Sequence, residues 1–307
     1  MKHVFVVGAP RSGTTWVQLL LAQHPDVATS QETHLFERYL MHLERTWLRE
    51  KTVQTGRAIG LRPLLSDQEF YALCRAFAAE VLRKAAGNRT SARYVVEKTP
   101  GHVLSGEFIL KLLPEAHIIH VVRDPRAAAS SLRRAGRTWG RRWAPSGVIE
   151  AARVWLAHVE AGCALAAWTD RYTEIRYEEL HRHGERVLHD LFCELGLEAG
   201  AEFCREALEA CDIERLRRRD SLPESPWSLS REPEGFYGPG RAEGWREELK
   251  RREVRLIEYI GRPAMTRLGY APVTGQRRKP LRLIARDTLE RLGAGLDWRL
   301  RRALTRL

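Results

Sequence analysis

A loop rich in small and hydroxyl-bearing residues follows the first apolar segment of the chain. Residues 8–15 read Gly-Ala-Pro-Arg-Ser-Gly-Thr-Thr. Glycines let successive backbone N–H groups converge on an anion, and a helix that begins directly after them adds the positive end of its dipole. The apolar spacing from Thr14 to Gln23 predicts such a helix. These residues therefore predict a binding site for a phosphate or a sulfate.

The loop differs from the phosphate loop of proteins that hydrolyse ATP or GTP. In those proteins the second glycine is followed by lysine, whereas Thr14 stands at that position here. Arg11 supplies a cation from inside the loop instead. No Mg²⁺-holding aspartate is evident after the later apolar runs, so hydrolysis of a nucleoside triphosphate would lack two of its parts.

A second candidate site for an anion lies at residues 123–131, Arg-Asp-Pro-Arg-Ala-Ala-Ala-Ser-Ser. Arg123 ends an apolar run, and Ser131 falls near the start of the helix that follows. A forked guanidinium beside a hydroxyl group suits a phosphate, although a salt-bridged turn explains the same residues equally well. Ligands of parallel sheets bind at the carboxyl ends of the strands, so both sites should share one edge.

The elements that carry these residues are short apolar strands separated by longer helices. The sequence predicts strands at Val4–Val7, Tyr94–Val96, His117–Val122 and Tyr172–Ile175, and helices at Thr14–Gln23, Asp67–Ala86, Ser105–Leu113, Arg126–Arg134, Glu150–Ala167, Glu185–Leu195, Ala199–Cys211 and Gly244–Ile260. A Ser66/Glu69 capping box opens the helix at Asp67. Strands joined through helices form a parallel sheet that is covered on both faces. We predict an α/β fold, a three-layer sandwich with a central, mostly parallel sheet as in P-loop nucleotide hydrolases, with helical insertions.

Charge divides the chain into a body, residues 1–275, and a basic tail, residues 276–307. The net charge is +12, and the tail has ten basic and three acidic residues. Leucine and isoleucine recur in it mostly every three to five positions, which predicts a C-terminal amphipathic helix from Pro280 to Leu307. Such a helix suits packing on the body, a homodimer contact, or peripheral binding to an anionic membrane.

The composition excludes several classes of protein. The 307 residues are 44% hydrophobic and include 9 Trp, 8 Tyr and 8 Phe, unlike a disordered or fibrous chain. The five cysteines lack Cys-x-x-Cys spacing, which argues against a zinc knuckle or a disulfide framework. No apolar run approaches the ~20 residues of a membrane span, and no secretory signal precedes the first strand. We therefore expect a cytoplasmic protein, peripheral at most to the inner membrane face, and no specific nucleic-acid partner.

These motifs together resemble the sulfotransferase family that uses 3′-phosphoadenosine 5′-phosphosulfate (PAPS), and the resemblance covers most of the chain. Arg123 and Ser131 have the family's spacing of eight residues. Residues 26–33 and 97–100 look like the glutamate- and lysine-bearing segments of the protein-tyrosine, Golgi-type and bacterial members. Residues 176–180 look like its Tyr-Glu-Asp-Leu segment near the adenine, and residues 240–245 loosely match its closing loop. The resemblance implies PAPS as the donor, PAP as the product and no metal. It implies nucleotide contacts from Arg11, Ser12, Gly13, Thr14, Thr15, Arg123, Ser131, Tyr177 and Arg241.

Sulfuryl transfer needs a base for the acceptor proton, a cation for the leaving phosphate and donors for the sulfate oxygens. The resemblance favours Glu32 as the base, with His34 as the rival and His102 as a weaker one. Lys98 and Arg11 are predicted to stabilise the leaving group. The alternative for Lys98 is an ion pair with the preceding glutamate on a solvated strand end.

We therefore predict a PAPS-dependent sulfotransferase whose catalytic domain spans residues 1–275. Its acceptor would carry a hydroxyl, less readily an amine, on a small-molecule, carbohydrate or lipid-linked scaffold. Two alternatives from other classes remain: a P-loop kinase or nucleoside triphosphatase, and a non-catalytic nucleotide- or RNA-binding module.

Overall fold

A parallel five-stranded sheet forms the centre of the protein. The computed structural model describes residues 1–52, 60–218, 233–238, 240–275 and 280. The strands are β1 (Lys2–Gly8), β2 (Val27–Thr29), β3 (Tyr94–Glu97), β4 (His117–Val122) and β5 (Tyr172–Arg176). Their order across the sheet is β2-β3-β1-β4-β5, and every neighbouring pair is parallel. The predicted α/β fold with a central parallel sheet is confirmed.

Side chains of the central strand β1 are buried on both faces of the sheet, which explains its uninterrupted apolar sequence. Phe5 and Val7 belong to one hydrophobic core, and Val4 and Val6 belong to the other. Parallel strands need crossover connections, and the helices that make them cover both faces.

Helices connect the strands and extend the fold beyond β5. They are α1 (Thr14–Leu21), α2 (Met41–Thr52), α3 (Asp67–Ala85), α4 (Gly106–Leu112), α5 (Pro125–Arg137), α6 (Val148–Ala164), α7 (Tyr177–Arg182), α8 (Gly184–Glu194), α9 (Ala201–Ala210), α10 (Ile213–Arg218), α11 (Trp245–Glu248) and α12 (Arg251–Arg267). A π-helical segment, Leu35–Leu40, precedes α2, and 3₁₀ turns span Pro100–Ser105 and Leu165–Ala167.

Most of the predicted helices are present, but the charged helix predicted over Gly244–Ile260 is two helices. The chain is extended at Leu249 and Lys250 between α11 and α12. The carboxylate of Glu253 accepts the Lys250 N–H at 2.8 Å, which starts α12 afresh after the break. The Ser66/Glu69 capping box at the start of α3 is confirmed.

The basic tail lies outside the described residues apart from Pro280, so its amphipathic helix, its homodimer contact and its membrane contact stay predictions. The domain boundary after residue 275 and the cytoplasmic location stay predictions as well. In the described part of the chain, no helix combines the length and the apolar character needed to cross a membrane.

A buried ion-pair network fastens the turn after β4 to α12. Arg126 contacts Asp124 at 2.7 Å and Glu258 at 2.9 Å. Glu258 is fully buried and also accepts the N–H groups of Val273 and Thr274, at 2.8 and 3.0 Å. The network therefore fixes both the strand end that carries the second anion site and the chain that follows α12.

Replacing Glu258 by alanine should destabilise the protein by about 3–5 kcal/mol, because Arg126 and two backbone N–H groups lose a buried anion. Urea unfolding measures the effect. Glu206→Ala, on the exposed face of α9, is the control and should unfold like the wild type. Equal unfolding midpoints for Glu258→Ala and the wild type would show that the network contributes nothing.

Candidate active site

Both predicted anion-binding segments open into one cavity of about 1280 Å³ at the carboxyl edge of the sheet. The predicted site residues that line it are Arg11, Gly13, Thr14, Thr15, Glu32, His34, Lys98, Arg123, Ser131, Tyr177 and Arg241. They come from distant parts of the sequence, and the parallel strands bring them together by ending at the same edge. Sites for one drug-sized ligand have volumes of about 300–1,000 Å³, so this cavity has room for a nucleotide and an acceptor.

The loop after β1 is shaped by a glycine at the start of α1. Gly13 has a φ of +99°, and a Cβ there would lie 2.6 Å from Cδ2 of Tyr177. Only glycine suits both the backbone angle and the close ring. No side chain in the described residues caps α1, so the N–H groups of Thr14, Thr15 and Trp16 are available at its N-terminus.

Ser12 is a predicted nucleotide contact that does not line the cavity, and its role stays a prediction. It is fully buried. Its N–H donates to the carbonyl of Ala9 at 3.1 Å. Within the described residues, the Ser12 hydroxyl has no hydrogen-bond partner.

Arg123, at the end of β4, links the first loop to the segment before α11. Its guanidinium donates to the carbonyls of Arg11 at 3.1 Å and Arg241 at 3.2 Å, and it lies 4.0 Å from the ring centroid of Tyr177. Its Nε is buried and has no hydrogen-bond partner among the described residues. The cation is therefore held in place with donor capacity left over, as an anion site requires.

Arg11 extends from the first loop to the second anion-binding segment. Its Nε donates to the hydroxyl of Ser131 at 3.3 Å, and its guanidinium donates to the carbonyl of Phe236. The rings of Trp139 and Phe236 lie 5.4 and 4.8 Å from it. The two predicted anion sites therefore share a cation, and aromatic rings restrict its position.

Arg241 lines the cavity, but its guanidinium is paired within the protein. Both oxygens of Glu247 accept its NH1 group at 2.9 Å, and the ion pair is exposed. The hydroxyl of Tyr177 donates to the neighbouring Gly240 carbonyl at 2.7 Å. An anion that binds Arg241 would therefore share its guanidinium with Glu247.

The predicted catalytic residues Glu32, His34 and Lys98 lie together on the opposite side of the first loop. Lys98 donates to Oε1 of Glu32, and Oε2 of Glu32 lies 3.6 Å from Nε2 of His34. The Lys98 side chain is 4% exposed and that of Glu32 is 35% exposed. The alternative of a Glu97–Lys98 pair on a solvated strand end is therefore wrong.

Glu37 is a member of this cluster that the sequence analysis missed. Its carboxylate bonds Nδ1 of His34. Burial alone would raise the pKa of Glu37, but the hydrogen bond and charge of His34 outweigh burial and lower it. The imidazole of His34 is thus held between two carboxylates, those of Glu37 and Glu32.

The buried carboxylate of Glu97 organises the segment that carries Glu32 and His34. It accepts hydrogen bonds from the N–H and hydroxyl of Thr33, at 3.0 and 2.8 Å, from the hydroxyl of Thr99 at 2.7 Å and from Nδ1 of His102 at 2.8 Å. Burial opposes its ionisation, but His102 and the hydrogen bonds lower the pKa of Glu97 to about 2. The sequence signal that could have identified Glu97 is an acidic residue at the end of an apolar strand.

His102 is a structural residue rather than a base. It is fully buried, and its Nε2 accepts the Phe36 N–H at 3.2 Å. Since Nε2 is an acceptor, Nδ1 carries the proton that is donated to Glu97. Both nitrogens are therefore used, and no acceptor molecule can reach them. The N–H groups of Thr33 and Phe36, on either side of His34, are thus both held. His34 itself adopts the left-handed backbone conformation, with a φ of 51°.

The sheet, the loop and the two clustered cations define a P-loop-like α/β fold with a candidate site for an anionic ligand. The model of the sulfotransferase family matches residues 3–200, well over half of the chain. The chain therefore belongs to the sulfotransferase family, as its motifs predict.

The similar proteins agree with this assignment. Protein-tyrosine sulfotransferase 2 of Gallus gallus is 32% identical over 135 residues, which are 43% of this chain and 34% of that protein. Nodulation protein NoeE of Sinorhizobium fredii is 27% identical over 294 residues, 87% of this chain and 65% of that protein. The match with the protein-tyrosine sulfotransferases thus spans about a third of their length.

Solved structures show the same fold at low sequence identity. Mouse sulfotransferase SULT7A1, crystallised with PAP, gives a TM-score of 0.55 at 14% identity and covers 86% of this chain and 85% of its own. The sulfotransferase domain of the Synechococcus olefin synthase gives 0.51 at 23% identity, with coverages of 84% and 94%.

Glu97→Gln should destabilise the protein in a pH-dependent way, because an amide cannot accept from all four donors. Folding lowers the pKa of Glu97 from its ordinary value of 4.5 to about 2. The carboxylate therefore stabilises the fold fully above pH 4.5, and this contribution is lost as the pH falls toward 2. Urea unfolding should give a difference of about 1–3 kcal/mol at pH 7 and a smaller one at pH 3.

The control for this series is Glu115→Gln, which removes an exposed carboxylate. Its side chain is 78% exposed, so its unfolding free energy should follow the wild type at both pH values. A Glu97→Gln deficit of the same size at pH 7 and pH 3 would contradict the assigned role of the charge.

Proposed function

We propose that this protein transfers a sulfuryl group from PAPS to a hydroxyl group of an acceptor. The observation that carries the proposal is the shared cavity: two cation-bearing anion sites at the ends of β1 and β4 open beside the Glu32–Lys98 pair. Membership in the sulfotransferase family and the PAP complex of the mouse neighbour support it.

The residues of the cavity fit the two phosphate-bearing ends of PAPS. The N–H groups at the start of α1 suit the 5′-phosphosulfate, because they converge behind Gly13 without a capping side chain in the described residues. Arg123 and Ser131 suit the 3′-phosphate. The buried Nε–H of Arg123 has no acceptor among the described residues, so it can donate to a phosphate oxygen. Tyr177 lies between the two groups, against both Gly13 and Arg123.

Glu32 and Lys98 have complementary roles in this proposal. When bound, PAPS supplies the sulfuryl group and a phosphate leaving group. The carboxylate of Glu32 takes the acceptor's hydroxyl proton as the oxygen bonds to sulfur. Once neutral, Glu32 holds Lys98 less strongly, and the Lys98 ammonium can donate to the leaving oxygen. The His34–Glu37 pair keeps Glu32 oriented from its other side.

The acceptor class that we propose is a small-molecule, carbohydrate or lipid-linked hydroxyl compound. Trp139 and Trp143 line the cavity, and aromatic faces of this kind suit sugar rings and apolar scaffolds. Incubation with PAPS and panels of phenols, sugars, lipid-linked alcohols, amines and tyrosine peptides, read by mass spectrometry, tests this choice. Sulfation of tyrosine peptides alone would overturn the acceptor class, and no sulfation in any panel would count against the transferase itself.

Arg123→Ala should weaken PAP binding by about 2–5 kcal/mol, since a half-buried cation that would contact the phosphate is removed. Isothermal titration calorimetry measures the affinity. Arg171→Ala is the matched control: Arg171 precedes β5 at the opposite edge of the sheet, and its side chain is half-exposed beside Glu115. Equal PAP affinities for all three proteins would contradict the phosphate site at Arg123.

Glu32→Gln should lower kcat by about 10²–10⁴-fold and leave PAP affinity nearly unchanged, because it keeps the shape of the side chain and removes the base. Steady-state kinetics with the acceptor from the screen provide the measurement. His34→Gln, tested in parallel, should retain more activity than Glu32→Gln. The reverse order would transfer the role of base to His34.

A further inference from the structure

Three side chains with metal-binding groups lie close together beside β4, away from the first loop. His120 lies on β4, Glu174 lies opposite it on the edge strand β5, and Cys163 lies on α6. Their donor atoms all lie within 4.8 Å of one another. None of the three lines the large cavity, so the cluster is separate from the candidate active site.

The imidazole of His120 has one partnered and one unpartnered nitrogen. Nδ1 lies 2.8 Å from the hydroxyl of Tyr172, whereas Nε2 has no hydrogen-bond partner among the described residues. The side chain is fully buried. A buried polar atom without a partner is costly, so this nitrogen points to a missing ligand.

A glycine on α6 lets the His120 ring approach the helix. A Cβ at Gly162 would lie 2.3 Å from Nε2 of His120, so any other residue would collide with the ring. Next to it along the helix, Cys163 faces a second, small cavity of about 430 Å³ that is also lined by Tyr172 and Glu174. The cluster therefore has open space beside it.

We propose that His120, Cys163 and Glu174 bind a divalent transition-metal ion of the zinc class. Nitrogen, sulfur and oxygen donors are the ligands that Zn²⁺ takes, and a site with three protein ligands leaves the fourth position to water. The adjacent cavity gives such a water its space. The hydroxyl of Tyr172 accepts from Nδ1–H and so directs the free electron pair of Nε2 toward the metal.

The charges around the cluster are consistent with this occupancy. Zn²⁺ binds Cys163 as a thiolate, so binding releases the thiol proton to solvent, and the thiolate and the Glu174 carboxylate then match the charge of a divalent ion. Arg267 on α12 lies beside both side chains. Arg176, His158 and Glu160 are further charged or titratable groups near the cluster.

A metal here would fasten the edge strand β5 and its neighbour β4 to α6. It would act on the stability of that edge and would take no part in sulfuryl transfer. The three ligands are scattered along the sequence, so the absence of metal-ligand spacing in the sequence does not bear on this site.

The test uses the full chain after dialysis against EDTA, titrated with Zn²⁺ alone and with Co²⁺ alone. We expect one equivalent of tight binding, a rise in Tm on adding Zn²⁺, and a thiolate-to-cobalt absorption band in the near ultraviolet. Cys163→Ala should abolish the band and weaken Zn²⁺ binding by about 100-fold or more, and Tyr172→Phe should weaken it by about 10–100-fold. Glu174→Gln replaces an exposed ligand and should weaken binding without disturbing the buried His120.

Cys193→Ala is the matched control, because Cys193 is an exposed thiol 3.8 Å from the imidazole of His189 and offers a rival surface site. It should bind Zn²⁺ like the wild type. The proposal is overturned if the wild type binds no equivalent of metal. It is also overturned if Cys163→Ala keeps the Co²⁺ band, or if Cys193→Ala is the variant that loses it.

Discussion

The geometry of the segment that carries Glu32 and His34 depends on the carboxylate of Glu97. It ends β3 inside the protein and accepts hydrogen bonds from Thr33, which follows β2, and from Thr99, which follows β3. Through Thr33 it fixes the chain that carries Glu32, and through His102 it fixes the N–H of Phe36. A buried charge is tolerated only when its donors are all in place, so the fold imposes one conformation on this segment.

The parts of the fold that depend on local sequence were predictable. Uninterrupted apolar runs such as His117–Val122 become strands buried on both faces, and turn residues followed by helical spacing mark where the strands end. Once the sheet is parallel, the carboxyl ends of β1 and β4 must share an edge, which places Arg11 and Arg123 together. The spacing of Arg123 and Ser131 then indicates the family, which the match to residues 3–200 shows.

What sequence reasoning missed depends on long-range contacts or on exact backbone angles. Ser12 is fully buried although its neighbours Arg11 and Gly13 line the cavity, a distinction that composition does not show. Glu37 contacts His34 because the π-helical segment places its carboxylate next to that imidazole. A π-helix has no simple periodic pattern in the sequence, so this contact was not predicted. A break at Lys250 divides a helix whose side-chain pattern is continuous.

The guanidinium of Arg123 donates to two main-chain carbonyls, and any group that binds it must compete with them, which sets an energetic threshold for binding. Those carbonyls are neutral acceptors, so an incoming group gains only the difference between its own bonds and theirs. A doubly charged phosphate exceeds that threshold by a wide margin, whereas a hydroxyl or an amide in the same place merely breaks even. At the 3′-phosphate site that we propose, this competition selects by charge: adenosine compounds without a 3′-phosphate offer Arg123 no better acceptor than the backbone carbonyls do.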